Sequence, residues 1–418
     1  MRILVTLHNF LPEPCFGAER VAIRHMRELR REGHEVAVLF AGRREPSVAD
    51  LDREGLAGVP CFRVPYVAPR AQVLLSIVRP RAEAAFVRAL DGFRPDVVLF
   101  HHLVRLSLRL PEIARRHGCP SVLFLHDHYL VCPSYSLVAF DEPVCAGGSP
   151  SRCARCLYAA RFGRRVPPGV REAAALLLAG RERIVARAAA AVDGVIAPSR
   201  SVLAEIEARG VRLSGAVVCP NGCDRAEVPM PPAPRAGAVR FGYLGAMLPK
   251  KGVDVLAEAC RGPLSRRVTM RGFVDEHAMA AFRNAHPDCA ATLEPFASDA
   301  AEFLRAVDVV VVPSVCLENQ PSVIIEAFAE GRPVAASRIG GIPEMFEDGQ
   351  GGWLLPPGDV AAWRACLTRL NDRPDEITRV AAGIPRWPSW LEVGARVARE
   401  LERAIDRARA RDHERGQS

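Results

Sequence analysis

Four consecutive valines, Val309 to Val312, end at Pro313 and predict a strand buried on both faces, since only a central parallel strand hides successive side chains on opposite sides. The period then changes: across Pro321 to Glu330 the residues Val323, Ile324, Ala327 and Phe328 fall on one helical face. Pro321 suits the first helical position, where its missing N–H has no partner to lose. The intervening loop carries Glu318 and the helix carries Glu326, so two carboxylates flank a helix N-terminus at the carboxyl end of a strand. Open α/β sheets bind ligands in that crevice, and unpaired helix N–H groups favour a phosphate there. A surface helix with solvated acids is the plainer reading of either glutamate alone.

The same alternation runs along the chain. Arg2 to Leu7 predicts a strand, a helix over about Ala18 to Arg31 turns Val21, Met26 and Leu29 inward, and Gly33 precedes a strand from Glu35 to Phe40. Further strands are predicted at Asp96 to Phe100, Ser121 to Asp127, Val192 to Ser199 and Gly215 to Gly222. After them, residues 226–237 are rich in Pro and Ala without periodicity and read as a linker. Strands then recur at Val239 to Gly245, Arg266 to Gly272 and Ala291 to Phe296, with helices from Val253, from about Glu276 and through Phe303. The fold class is α/β, with two mostly parallel Rossmann-like sheets: an N-terminal domain over 1–225, a second over 238–385, and an amphipathic helix within 386–418 that either completes the second domain or crosses back to the first. A chain of 418 residues can bury two such cores.

Composition narrows the setting. The charged and apolar fractions, 25% and 49%, are those of a soluble globular protein. The N-terminal strand is too short for a signal peptide, and no apolar run approaches the roughly 18 to 20 residues of a membrane span. We therefore expect a cytoplasmic protein, either free or at the inner face of the membrane. Its 13 cysteines then read as thiols or metal ligands, not as a disulfide framework. The net charge of +8 is carried almost wholly by arginine, because Lys250 and Lys251 are the only lysines among 56 cationic residues. A compact ammonium pair inside GAMLPKKG suits phosphate neutralisation in a tight loop, unless the pairing is coincidence. No nucleic acid is expected as a partner.

Several residues carry candidate chemistry. Gly17, in the loop after the first strand, permits close backbone approach to a ligand. The G-x-G-x-x-G fingerprint is absent there, which counts against a nicotinamide or flavin enzyme. His126 and Asp127 close a strand; the histidine either meets a substrate hydroxyl or caps the strand. Cys132, Cys145, Cys153 and Cys156 crowd an insertion at about 128–160, and the last two have C-x-x-C spacing. A structural zinc and scattered reduced thiols both fit. The arginine-rich segment from Arg161 to Arg187 reads either as a helix lying on anionic lipid or as a solvated helical face.

Together these stretches resemble the retaining glycosyltransferases of family four, over nearly the whole chain. Glu318 and Glu326 lie in PSVCLENQPSVIIEAFAEGRPVAAS, which looks like the family's E-x7-E motif, and GGIPE follows. GAMLPKKG resembles its phosphate loop, FGAER its N-terminal glycine loop, and HD its sugar-contacting histidine. The resemblance implies a GT-B architecture, two Rossmann-like domains facing an interdomain cleft, and a nucleotide-sugar donor. Glu326 would bind ribose hydroxyls, Glu318 the transferred sugar, and the backbone of Asn319, Gln320, Pro321, Ser322 and Val323 the sugar and diphosphate. Lys251 would neutralise the diphosphate, His126 would touch the sugar near the reacting carbon with Asp127 beside it, and Gly17 would let the other domain close.

A nucleoside diphosphate leaving group needs positive charge and N–H dipoles at its oxygens. A lysine and a helix N-terminus supply both, and no D-x-D motif at a strand end offers to hold a divalent ion, so no cofactor is expected to be required for catalysis. The resemblance favours same-face displacement with retention, the departing phosphate taking the acceptor's proton. The acceptor is expected to be a glycan or a lipid-linked intermediate. Two departures stand out: Ala246 follows Gly245 where the family often has arginine, leaving Lys250 and Arg271 as substitutes, and Phe16 replaces a common glycine. Competing readings are a non-catalytic nucleotide-sugar-binding protein and a nucleotide-sugar epimerase of the same architecture.

Overall fold

The computed structural model describes residues 1–66, 76–139, 142, 144–162, 169–224, 239–272, 276–295 and 300–416. The predicted linker at 226–237 lies outside the described residues, as do Phe296 and residues 163–168 of the arginine-rich segment. The chain forms two compact units, one of Met1–Phe140, Cys145–Asn221 and Trp390–Ser418, the other of Asp141–Val144 and Gly222–Ser389.

The first unit is built on seven parallel strands: β1 (Arg2–Leu7), β2 (Glu35–Gly42), β3 (Cys61–Pro65), β4 (Val97–Phe100), β5 (Ser121–Phe124), β6 (Gly194–Ala197) and β7 (Ala216–Val218). Their spatial order is β3-β2-β1-β4-β5-β6-β7. The chain winds outward from β1 to β3 and returns to start again at β4, so the order reverses between β1 and β4. Every residue of β4 is buried, because helices cover both faces of a parallel sheet. The helix Gly17–Arg31 packs Val21, Ala22, Met26 and Leu29 against one face.

The C-terminal helix Trp390–Gly416 belongs to this unit. Val393, Val397, Leu401 and Ala404, spaced for one helical face, join Ile3, Val5 and Met26 in one core. Gly394 brings this helix close to Gly17–Arg31, since a Cβ there would lie 2.5 Å from the Cβ of Glu28. Arg407 Nε donates to the Asp193 carbonyl at 2.6 Å, and Arg411 pairs with the Asp193 carboxylate.

The second unit carries six parallel strands, β8 (Phe241–Gly245), β9 (Val268–Gly272), β10 (Thr292–Pro295), β11 (Val309–Val312), β12 (Val334–Ser337) and β13 (Gly352–Leu355). The order β10-β9-β8-β11-β12-β13 reverses between β8 and β11. The four valines of β11 are all buried. Its helix runs over Ser322–Ala329, one residue after the predicted start, because Pro321 is the N-cap and not the first helical residue, its ψ of 118° being extended.

Candidate active site

Both sheets place chemistry at their reversal points. In the second unit, β8 ends at Gly245 and the chain turns through the short helix Pro249–Lys251 to Gly252. Gly252 has φ +77°, and a Cβ there would lie 1.8 Å from the Pro313 carbonyl oxygen, so only glycine lets this loop pass the end of β11. Val315 N–H donates to the Lys250 carbonyl at 3.1 Å, and Tyr243 O–H donates to the Ala246 carbonyl at 2.6 Å, fixing the loop at both ends.

This registration brings Lys251 Nζ to 2.6 Å from Glu318 Oε1, an oxygen that also accepts from Ser314 O–H at 2.6 Å. The backbone of Glu318 is held in turn, its carbonyl accepting from Gly341 N–H at 2.7 Å. A Cβ on Gly340 would lie 2.2 Å from the same carbonyl, so the glycines of the GGIPE stretch clamp the loop that presents Glu318. Burial alone would lower the Lys251 pKa, but the adjacent Glu318 charge and hydrogen bond prevail and raise it. The lysine is therefore a fixed cation, 31% exposed, beside a carboxylate 11% exposed.

Asn319, Gln320 and Pro321 are half-buried along the approach to the helix, Ser322 is its exposed first residue, and Val323 and Glu326 are half-buried on it. Arg271 is committed elsewhere: Nε and Nη2 both donate to Glu294 Oε2, at 2.9 and 2.7 Å, and the guanidinium lies over the Phe303 ring. Of the two expected substitutes for the missing loop arginine, Lys250 thus sits within the loop and Arg271 is held by a carboxylate on β10.

In the first unit the reversal point is lined by His126 and by three further histidines, His8, His101 and His102, that no motif marked in the sequence. His8 follows β1, His101 and His102 follow β4, and His126 and Asp127 lie just beyond β5, whose ladder ends at Phe124. Two rows of side chains cross these strand ends. In one, Glu19 of the helix Gly17–Arg31 pairs with His8 Nε2 at 2.9 Å, the His8 and His102 rings stand 4.5 Å apart, and His102 Nε2 lies 3.0 Å from Asp127 Oδ2. In the other, His25 Nδ1 is 3.4 Å from His101 Nε2, and His101 Nδ1 is 2.7 Å from His126 Nε2.

Burial pushes His25 down to about 3, and burial followed by neighbouring histidines pushes His101 and His126 well below the ordinary value. Asp127 Oδ1 accepts from Tyr129 N–H at 2.8 Å, so both carboxylate oxygens hold the loop that carries His126. Burial would raise its pKa, but His102 and these hydrogen bonds hold it below the usual carboxylate value. Gly17 opens its helix, and a Cβ there would meet nothing within 4 Å, which leaves its backbone approachable. A small pocket is lined by His101, His102, His126, Asp127 and Tyr129.

Among the described residues no group of three or more His, Cys, Asp or Glu is arranged to hold a metal ion. Cys132, Cys145, Cys153 and Cys156 form no disulfide: Cys132 Sγ contacts Ser134 Oγ at 3.2 Å and Cys156 Sγ points to the Val138 carbonyl at 3.8 Å. They share a neighbourhood without a common centre, and burial, then Cys132, Cys145 and Cys156, pushes the Cys153 thiol up to about 11.

The model of Glycosyltransferase Family 4 matches residues 17–227, about half of the chain, and that of Glycosyl transferases group 1 matches residues 238–373. The chain belongs to glycosyltransferase family 4. Among its relatives, D-inositol 3-phosphate glycosyltransferase of Thermomonospora curvata is 43% identical over 102 residues, 24% of this chain and 23% of that protein. The match thus spans about a quarter of that relative's length. Glycogen synthase of Mycobacterium tuberculosis is 28% identical over 397 residues, 91% of this chain and 88% of that protein. Among solved structures, Anabaena HepE in complex with UDP superposes with a TM-score of 0.68 at 17% identity, over 96% of this chain and 100% of that one. Sucrose-phosphate synthase from Thermosynechococcus elongatus gives 0.69 at 16% identity, over 97% and 99%. These likenesses carry the two Rossmann-like parallel-sheet domains. Within this family 4 chain, the Lys251–Glu318 pair and the histidine rows are two chemical centres, one in each unit.

Proposed function

We propose that the protein is a glycosyltransferase that moves a sugar from a nucleoside diphosphate sugar to a glycan or lipid-linked acceptor, with retention of configuration and without a divalent ion. The observation that carries this reading is the Lys251–Glu318 pair beside the helix that starts at Ser322. A diphosphate brings more negative charge than one carboxylate, so on donor binding it takes over the Lys251 ammonium and the helix N–H groups. Glu318, released from the lysine, then accepts from hydroxyls of the transferred sugar, and Glu326 from the ribose. As the anomeric C–O bond breaks, charge develops on the phosphate oxygen that Lys251 faces, and that oxygen takes the proton of the incoming hydroxyl on the same face. HepE in complex with UDP-glucose, a structure sharing this fold, supports the choice of donor class.

Membrane contact is part of the proposal. Leu176 and Leu177 of the helix Val170–Ala191 are 76% and 55% exposed, and Arg183 and Arg187 share the outward side. Among the described residues no helix is long and apolar enough to cross a membrane.

Chromatography of nucleotides after incubation with a panel of UDP and GDP sugars, with and without glycan or lipid-linked acceptors, tests the activity. Acceptor-dependent release of a nucleoside diphosphate is expected. Binding without release would make the protein a nucleotide-sugar binder, and an isomerised donor formed without acceptor would make it an epimerase.

A further inference from the structure

Apart from the histidines, the first unit gathers cations just beyond the carboxyl ends of its strands. Arg43 follows β2, Tyr66 follows β3, and Arg105 lies in the loop after β4. The Tyr66 ring is 6% exposed and carries two guanidinium groups, Arg105 at 4.9 Å and Arg79 at 5.5 Å from its centroid. Arg79 Nη1 also donates to the Arg105 carbonyl, and Arg105 N–H donates to Ser76 Oγ at 3.0 Å. These bonds hold Arg105 at φ +60°, a left-handed conformation that residues other than glycine rarely adopt.

Stacking alone does not account for the arrangement. Arg2 over Phe93 and Arg271 over Phe303 are each also paired with a carboxylate, Glu35 and Glu294. Arg79 and Arg105 pair with no carboxylate among the described residues. The acids on flanking segments are engaged: Glu19 with His8, Glu45 with Arg63, and Glu13 with the Arg43 N–H at 3.1 Å. Two polar atoms are left over. Arg105 Nε and the Tyr66 hydroxyl are buried and make no well-formed hydrogen bond among the described residues. Both are donors, since a guanidinium has no acceptor and burial raises the Tyr66 pKa against the opposing pull of Arg105 and Arg79. Buried donors left unpaired are costly, and so are cations left unneutralised. An anion with several acceptor oxygens relieves both.

We propose that Tyr66, Arg79 and Arg105 form a phosphate subsite in the first unit, which takes a phosphate ester group carried by the acceptor. This deepens the reading of the protein as a glycosyltransferase and rests on it: the acceptor is anionic, a phosphorylated sugar or a lipid phosphate. Arg105 Nη1 is already directed to the His8 carbonyl at 3.4 Å, which leaves the edge containing Nε for the ligand. Such an edge meets two phosphate oxygens at once. Donors from three separate chain segments suit the tetrahedral oxygens of a phosphate better than the single plane of a carboxylate. The subsite is distinct from the loop of Lys250 and Lys251, which belongs to the second unit.

The test is calorimetric titration of the full chain, without donor, using glucose 6-phosphate and a polyprenyl phosphate in detergent micelles, with glucose and empty micelles as controls. Binding of at least one phosphate is expected, and whichever binds names the source. Lys251→Ala should bind it as the unmodified protein does. Arg105→Asn, a residue tolerated in the left-handed region, and Arg79→Gln should each weaken binding by about tenfold or more, as loss of a charged hydrogen bond does. Tyr66→Phe, which keeps the ring beneath both guanidinium groups, should weaken it by about threefold or more. The proposal is overturned if neither phosphate binds, if the controls bind equally well, if Lys251→Ala abolishes binding, or if Arg105→Asn and Tyr66→Phe leave it unchanged. A protein that binds phosphate through these residues and transfers no sugar would refute the functional reading and keep the subsite. One that transfers sugar and binds neither phosphate would do the reverse.

Discussion

Lys251 is held at 2.6 Å from Glu318, the group it leaves in the proposed reaction when a donor binds. Its folded pKa is raised, so the stabilisation from the pair is fully present below the ordinary lysine value and is lost only as pH rises through the raised one. His25, His101 and His126 behave in the opposite sense. Their folded pKa values are depressed, so the unfolded chain takes up protons first and stability falls as pH drops below about 6.5, toward about 3 for His25. Each such histidine contributes a slope of about 1.4 kcal/mol per pH unit over that range. Urea unfolding at pH 7, 6 and 5 should show a steep loss. His25→Phe, which keeps a ring against Phe124 and Trp390, should be less steep by about one proton; an identical slope would mean that His25 is charged in the fold.

At this scale the sequence was unevenly legible. Lys251 and Glu318 stood out because a lone lysine pair and an E-x7-E spacing are local patterns. Their mutual contact was not legible, since it depends on Gly252 lying against Pro313 across two strands. His8, His101 and His102 each directly follow a strand, and that position was the available signal. What joins them is the β1-β4-β5 adjacency, which belongs to the sheet order and not to any stretch of sequence.

At the scale of elements, continuous apolar runs such as β4 and β11 could be read directly because burial on both faces leaves no polar alternation to confuse them. β12 reads Val-Ala-Ala-Ser and offers little strand propensity; it is a strand because β11 and β13 flank it. The C-terminal helix showed its apolar face in the sequence but not its partner, which is the helix Gly17–Arg31 and the core beneath it. Leu401→Ala should destabilise the protein by about 2 to 5 kcal/mol in urea unfolding, as a buried leucine does. A change near zero would show that the helix is not docked there in solution. For the helix Val170–Ala191, sedimentation with vesicles containing phosphatidylglycerol should show binding that weakens with salt and is reduced in Leu176→Asp. Binding absent, or indifferent to salt, would remove the membrane from the account.

At the scale of the whole molecule, each unit repeats one plan, a parallel sheet whose strand order reverses at a single point with functional groups beyond the strand ends there. The alternation of strand and helix made this plan legible, because parallel strands need crossovers and crossovers impose the period change. The proposed division of labour follows: a cation and a helix start for the diphosphate and carboxylates for hydroxyls in the second unit, and histidines in the first. The central claim is that Lys251 carries the charge that develops on the leaving diphosphate. The measurement that meets it most directly is the rate of acceptor-dependent nucleoside diphosphate release by Lys251→Ala beside the unmodified protein, with circular dichroism to confirm that both are folded. A folded variant slower by about 100-fold or more is expected, as when a transition-state charge loses its partner. A folded variant that releases the diphosphate at the unmodified rate would contradict the account.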